Sequence, residues 1–120
     1  MKCIALKTSR EKIAKCGDLV FEAARGPWAI GRKRYPTINQ YTHAVVFFKG
    51  EKDIKAVYKI DGWYFYDYDT KGHSRYVFAG NPDKDLEKKL VGKRGNTNLF
   101  KQGRQFPLIY LEDAIDLIEL

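Results

Sequence analysis

The residues from Tyr41 to Gly80 decide most of what this chain can fold into. His43 to Phe48 is an unbroken apolar run bounded by turn residues, which fits a strand buried on both faces. Its β-branched and aromatic content favours strand over helix. Gly50-Glu51-Lys52-Asp53 supplies a turn. From there the pattern alternates, with Ile54, Ala56, Tyr58 and Ile60 on one face and Lys55, Val57 and Lys59 on the other. Asp61-Gly62 carries the signature of a two-residue hairpin turn. The next strand, Trp63 to Tyr68, places Trp63 and Phe65 on one face and Tyr64, Tyr66 and Tyr68 on the other. A loop from Thr70 to Ser74 precedes a fourth strand, Arg75 to Ala79. Strands joined by short turns pair antiparallel. An open edge invites aggregation, so the sheet is expected to curl towards a small barrel.

The flanks supply the remaining elements. Met1 to Lys7 reads as a first strand; Thr8 with Glu11 forms a capping box for a short helix from Ser9 to Lys15, ending at Gly17. Ile13 and Cys16 fall on its inner side, and Leu19 to Ala24 reads as another strand. Arg25-Gly26-Pro27-Trp28 breaks that strand. The basic, aromatic segment Gly31-Arg32-Lys33-Arg34-Tyr35-Pro36 cannot continue a sheet. Thr37 to Tyr41 makes a helical turn. After the sheet, Asn81 as N-cap and Pro82 at the first helical position start a helix with Leu86 and Leu90 as its buried stripe and Gly92 as its stop. Lys93 to Gln105 is a basic loop anchored by Leu99-Phe100; Phe106 to Leu111 is a strand, and Leu111, Ile115 and Ile118 mark a final short helix. The expectation is one α+β domain over residues 1–120, a small curled, mainly antiparallel β-barrel with two or three short helices.

Charge points to the partner. The net charge is +7, yet the segment from Glu112 to the end carries four acids and no base, so the preceding residues hold +11. Such a surface attracts polyanions at long range; solubility alone is the competing explanation. No apolar run approaches the roughly 20 residues of a membrane helix. Lys7, Arg10 and Lys12 interrupt any signal-peptide pattern, so a cytoplasmic location without membrane contact is expected. Cys3 and Cys16 read as small core residues and not as a metal set or a disulfide framework.

Catalytic chemistry has thin support. Metal-dependent cleavage needs clustered carboxylates, and Asp61, Asp67 and Asp69 are the only nearby set. Asp61 sits in a turn signal, while Asp67 and Asp69 share a strand face and could hold an ion. Metal-free cleavage needs an acid and a base, and nothing in the sequence brings His43 and His73 together. No catalytic residue, metal or cofactor is expected. In the segment around Trp28 two readings stand side by side. It is a surface loop with Trp28 tucked into the core, or it is a nucleic-acid contact in which cations hold phosphates and aromatics stack on bases.

Several short motifs recur in order: Arg25-Gly26-x-Trp28; the strand ending Phe48-Lys49-Gly50; Val57-Tyr58-x-Ile60-x-Gly62-Trp63; Arg75-Tyr76-x-Phe78-x-Gly80; Val91-Gly92-Lys93; and Phe100-Lys101-x-Gly103-x-Gln105-x-Pro107-x-x-Tyr110. In this order they resemble the small PUA-like β-barrel domains, the broad group that includes ASCH and EVE domains and occurs beside GIY-YIG nuclease modules in bacterial proteins. The resemblance covers residues 19–111. It implies a pseudobarrel with helices at its ends that binds RNA or DNA, with an aromatic pocket for a modified base in the EVE branch. By that resemblance Trp28 and Trp63 are pocket walls, and Arg25, Arg104 and Gln105 contact a base edge or a phosphate. The sequence carries no GIY-YIG module, so no nuclease activity is transferred with the resemblance. Arg32-Lys33-Arg34 lies outside the pattern, and its role rests on charge.

The sequence therefore predicts a nucleic-acid-binding domain that reads an unpaired, flipped or modified base. Arg32, Lys33, Arg34, Lys93, Arg94, Lys101 and Arg104 would hold phosphates beside a Trp28/Trp63 pocket. Two alternatives belong to other classes: a protein-interaction module that binds and modulates an acidic partner, and a small nuclease.

Overall fold

The computed structural model describes residues 2–96, 99 and 108–113. It is an α+β domain built on one six-stranded sheet. The strands are β1 (Cys3–Thr8), β2 (Trp28–Ala29), β3 (His43–Phe48), β4 (Ile54–Tyr68), β5 (Ser74–Pro82) and β6 (Leu108–Leu111). Their spatial order is β2-β5-β4-β3-β1-β6. β1 and β3 are parallel, and the other neighbours are antiparallel, so the sheet is mixed. Among the described residues β2 and β6 are not paired with each other, and the curled sheet is a half-barrel rather than a closed barrel.

Each central strand is buried on both faces. Ile4, Leu6, Ala44, Val46, Ala56 and Tyr58 pack on one side with Trp28, Trp63 and Phe78. Cys3, Ala5, Val45, Phe47, Ile54 and Val57 pack on the other with Leu99, Leu86 and Leu90. Burial pushes the Cys3 thiol up to about 11, so this cysteine is an inert core residue. Cys16 is only half-buried, and both thiols are free.

Two sequence expectations about element type change. The residues from Leu19 to Ala24 do not form a strand: Val20–Ala24 is a helix, α2. Ala23 and Ala24 are fully buried, and their small side chains seat the helix closely on the sheet. A short apolar run does not by itself distinguish strand from helix. Asp61-Gly62 is not a hairpin turn, because β4 runs straight through it for 15 residues. A type I′ turn needs positive φ at both central residues, and Gly62 is not among the residues with positive φ. Instead the pairing with β5 shifts between Ile60 and Gly62, leaving Asp61 as a bulge. The real turn lies between Asp69 and His73, where Gly72 has φ +80° and the Asp69 carboxylate accepts the Lys71 and His73 N–H groups at 2.9 Å each.

Helix starts move by one or two residues. Helix α1 is Arg10–Lys15, and its cap is Ser9, whose hydroxyl accepts the Lys12 N–H. Thr8 instead ends β1. Helix α3 is Lys84–Leu90 with Asp83 as its cap, and Asn81 and Pro82 end β5. Tyr35–Gln40 is a 3₁₀ helix, covering most of the expected turn before the sheet. The final helix expected around Ile115 and Ile118 lies outside the described residues, as does Phe100 of the expected loop anchor.

A candidate nucleic-acid interface

Bulges give β4 its aromatic geometry. Lys55 is an extra residue opposite the Val46–Phe47 step of β3. It puts Ile54 and Val57 on one face and Ala56 and Tyr58 on the other. The Asp61 bulge then brings Trp63 onto the face that Tyr58 occupies, three residues after Ile60 instead of two. A second shift between Phe65 and Asp67 does the same for Tyr68, whose ring meets Phe65 with centroids 5.1 Å apart. A bulge re-aims the side chains beyond it.

A row of rings results. Trp63 packs edge-on against Phe78 at 5.2 Å, Phe65 against Tyr76 at 6.1 Å, and Tyr76 stacks on Tyr35 at 4.5 Å and 24°. Close backbone packing holds the two strands that carry them. A Cβ on Gly80 would sit 2.2 Å from the Lys59 carbonyl oxygen, and one on Gly26 would sit 2.7 Å from the Tyr76 carbonyl oxygen at φ +129°.

Two cavities flank this row. The first, about 190 Å³, is lined by Asn39, Tyr41, Ile60, Asp61, Trp63 and Tyr64. The indole N–H of Trp63 is buried and meets no acceptor among the described residues. A buried polar group normally has a partner. The second cavity, about 250 Å³, lies between the segment at Ile30 and Arg32 and the residues Gly72, His73, Ser74 and Tyr76. Behind the first cavity the Tyr41 hydroxyl donates to Glu112 and receives Arg34 Nη1 at 2.7 Å. Burial, ahead of the Glu112 bond, raises the Tyr41 pKa, while the Tyr41 and Lys2 hydrogen bonds hold Glu112 below the usual carboxylate value.

The expected site residues divide. Trp63 lines the first cavity and Arg32 the second; Lys33 is exposed next to Arg32. Trp28 is only 6% exposed, donates its N–H to the Ala24 carbonyl at 2.7 Å, and carries Lys12 over its ring at 4.7 Å. Arg25 ties α2 to β5 through the Phe78 carbonyl at 3.2 Å. Arg34 lies over the Tyr110 ring, its guanidinium 4.2 Å from the ring centroid, and remains partly exposed. Lys93 and Arg94 sit at the other end of β4, where the Ile54 N–H binds the Lys93 carbonyl and Asp53 bridges Arg94. The length of β4, on the order of 40 Å for an extended strand, separates them from Arg32. Lys101, Arg104 and Gln105 lie outside the described residues.

The nuclease constellations do not assemble among the described residues. Asp67 and Asp69 do not share a strand face, since β4 ends at Tyr68 and its pairing shifts just before Asp67. Asp69 is engaged by Arg75 at 3.0 Å as well as by its own loop. No group of three or more His, Cys, Asp or Glu is placed to hold a metal among the described residues. His43 bonds Asp83 at 3.0 Å, while His73 lies in the turn beyond Tyr68. Their places along β4, His43 opposite Lys59 and His73 past the end, put them roughly 30 Å apart. Among the described residues no helix is long and apolar enough to cross a membrane.

The exposed aromatics Tyr64, Phe65, Tyr66 and Tyr68 were missed by sequence reasoning as site residues. Their signal was present: five of the six residues from Trp63 to Tyr68 are aromatic. No protein-family model matches the chain, and no curated protein or solved structure gives a significant match, so function must be argued from the site's own chemistry.

Proposed function

We propose that this half-barrel is a PUA-like pseudobarrel that binds nucleic acid and takes one unpaired, flipped or modified base into the Trp63 cavity. The observation that carries the reading is a cavity lined by Trp63, Asp61 and Asn39, with the Trp63 N–H buried and, among the described residues, without an acceptor beside it. A base edge offers acceptors for the indole and for the Asn39 amide, and exocyclic donors for the Asp61 carboxylate. The volume suits one heterocycle rather than the roughly 300–1,000 Å³ of drug-sized sites. The positive surface supplies the sequence-independent attraction.

The two tryptophans make this testable without a label. In Trp28→Phe only Trp63 fluoresces, and single-stranded oligonucleotides should quench it in a salt-sensitive titration. In Trp63→Phe only Trp28 remains, and the same oligonucleotides should leave it unquenched. Loss of the indole donor should also weaken binding about 2- to 10-fold, the worth of one hydrogen bond, with the salt slope unchanged. Equal quenching in the two proteins, or binding untouched by Trp63→Phe, rejects the cavity as the base site.

A further inference from the structure

The hairpin of β4 and β5 continues past the Trp63 cavity with large aromatic side chains left half or more exposed. Beyond Ile60, β4 has no partner on its β3 side among the described residues, because β3 begins at His43 opposite Lys59. Phe65, Tyr66 and Tyr68 are 52%, 61% and 63% exposed, against 7% for Trp63 on the same strand. Phe65 and Tyr68 continue the ring row outwards from Trp63, and Tyr76, backed by Tyr35, lies beside them. The row ends at the second cavity, which Arg32, His73 and Ser74 line. Exposed Lys33 and Lys71 stand close by in sequence, Arg75 neutralises Asp69, and the exposed Asp67 within the strip accepts the Tyr68 N–H.

We propose that this aromatic strip, from the Trp63 cavity to the Arg32–His73–Ser74 cavity, is a track for single-stranded nucleic acid. Bases stack on Phe65 and Tyr68, and a backbone phosphate sits on Arg32 and Ser74. The track rests on the base-pocket reading and extends it to the neighbouring nucleotides of the same strand. From Trp63 to Tyr68 the strand covers roughly 17 Å, room for a short stretch of strand. The ring faces select single strands, because the base faces of a duplex are already stacked on one another.

A second copy of this chain, paired edge to edge, fits the strip less well. Two chains of net charge +7 repel. The edge also carries bulges at Asp61 and between Phe65 and Asp67, a feature that twists edges away from strand pairing. What the strip offers is side-chain faces, not a regular ladder of backbone groups.

The test compares a labelled single strand, the matching duplex and the protein's own association state for wild type, Tyr68→Ser, Phe65→Ser and Arg32→Gln. Unchanged thermal melting checks that each variant is folded, as their exposure predicts. Tyr68→Ser and Phe65→Ser should each weaken single-strand binding about tenfold and leave duplex binding unchanged. Arg32→Gln should lower the slope of log affinity against log salt by about 0.7. Equal single-strand affinity in wild type and both aromatic variants overturns the track while the Trp63 cavity stands. A wild type that binds no nucleic acid even at low salt overturns the base-pocket reading and the track together. Wild-type dimers that Tyr68→Ser makes monomeric, with single-strand affinity unchanged, assign the strip to contact between copies and overturn the proposal.

Discussion

The two halves of β4 have similarly apolar sequences and opposite fates. From Ile54 to Tyr58 it lies between β3 and β5 or against α3, and Ile54, Ala56, Val57 and Tyr58 are all buried. From Tyr64 to Tyr68 its only paired strand among the described residues is β5, and four large aromatics face solvent. Nothing in the residue types separates the halves as sharply as their neighbours do. β3 stops covering β4 at Lys59, and α3, held by Asp83 beside Val57, covers only the first half. Large exposed apolar patches commonly mark binding surfaces; the first half serves stability, and the second is open to the binding role proposed above.

Substitutions should reproduce that split. Ile54→Ala, in the fully buried half, should cost about 4 kcal/mol, transfer plus cavity, read as a lower denaturant midpoint at unchanged m-value. Gly80→Ala attacks the seam between the halves, because its new Cβ would lie 2.2 Å from the Lys59 carbonyl oxygen. Backbone must shift, and a loss of about 3 kcal/mol is expected. A melting temperature like wild type would show that the seam is looser than its geometry implies.

A third prediction concerns the clamp on the buried half. The Asp83 carboxylate accepts the Leu86 N–H, with a further bond to His43, and these hold its pKa below the ordinary carboxylate value. The folded value therefore lies below the unfolded one, near 3.9. Its stabilisation is complete above that unfolded value and is lost as pH falls through the folded value. Asp83→Asn keeps the cap acceptor and removes the titration, so melting temperature should fall less steeply with acid than in wild type. Parallel acid limbs in the two proteins would remove Asp83 from the account. The smallest effect belongs to the exposed half: Tyr66→Ala should change stability by less than about 0.5 kcal/mol. A loss comparable to that of Ile54→Ala would erase the distinction between the halves.

The legible part of the sequence was the part with redundant signals. The run from His43 to Phe48 could only be buried, and β3 has those bounds. The first strand and the stop at Gly92, with φ +89°, were also readable. Errors arose where one residue type serves two geometries. Asp-Gly makes hairpins and bulges alike, and only the partner strand decides which. In the alternation expected from Ile54 to Ile60 only Ile54 changes face, because Lys55 is inserted against β3, an event invisible without knowing the register. At the site, Trp63 lines one cavity and Arg32 another, whereas Trp28 is packed against Ala24 and Lys12, and Arg34 against Tyr41 and Tyr110. The aromatic density from Trp63 to Tyr68 was visible in the sequence, but its exposure was not, since that follows from where β3 begins.

β1 occupies an interior place in the sheet, between β3 and β6, which matters while the chain is still being made. At about 5–20 residues per second, its parallel partner emerges early in synthesis. The strand that closes its other flank, Leu108–Leu111, follows about 3–12 seconds later at that rate. During that interval a nascent chain carries an unsealed hydrophobic strand, a state prone to pairing with its neighbours on a crowded polysome.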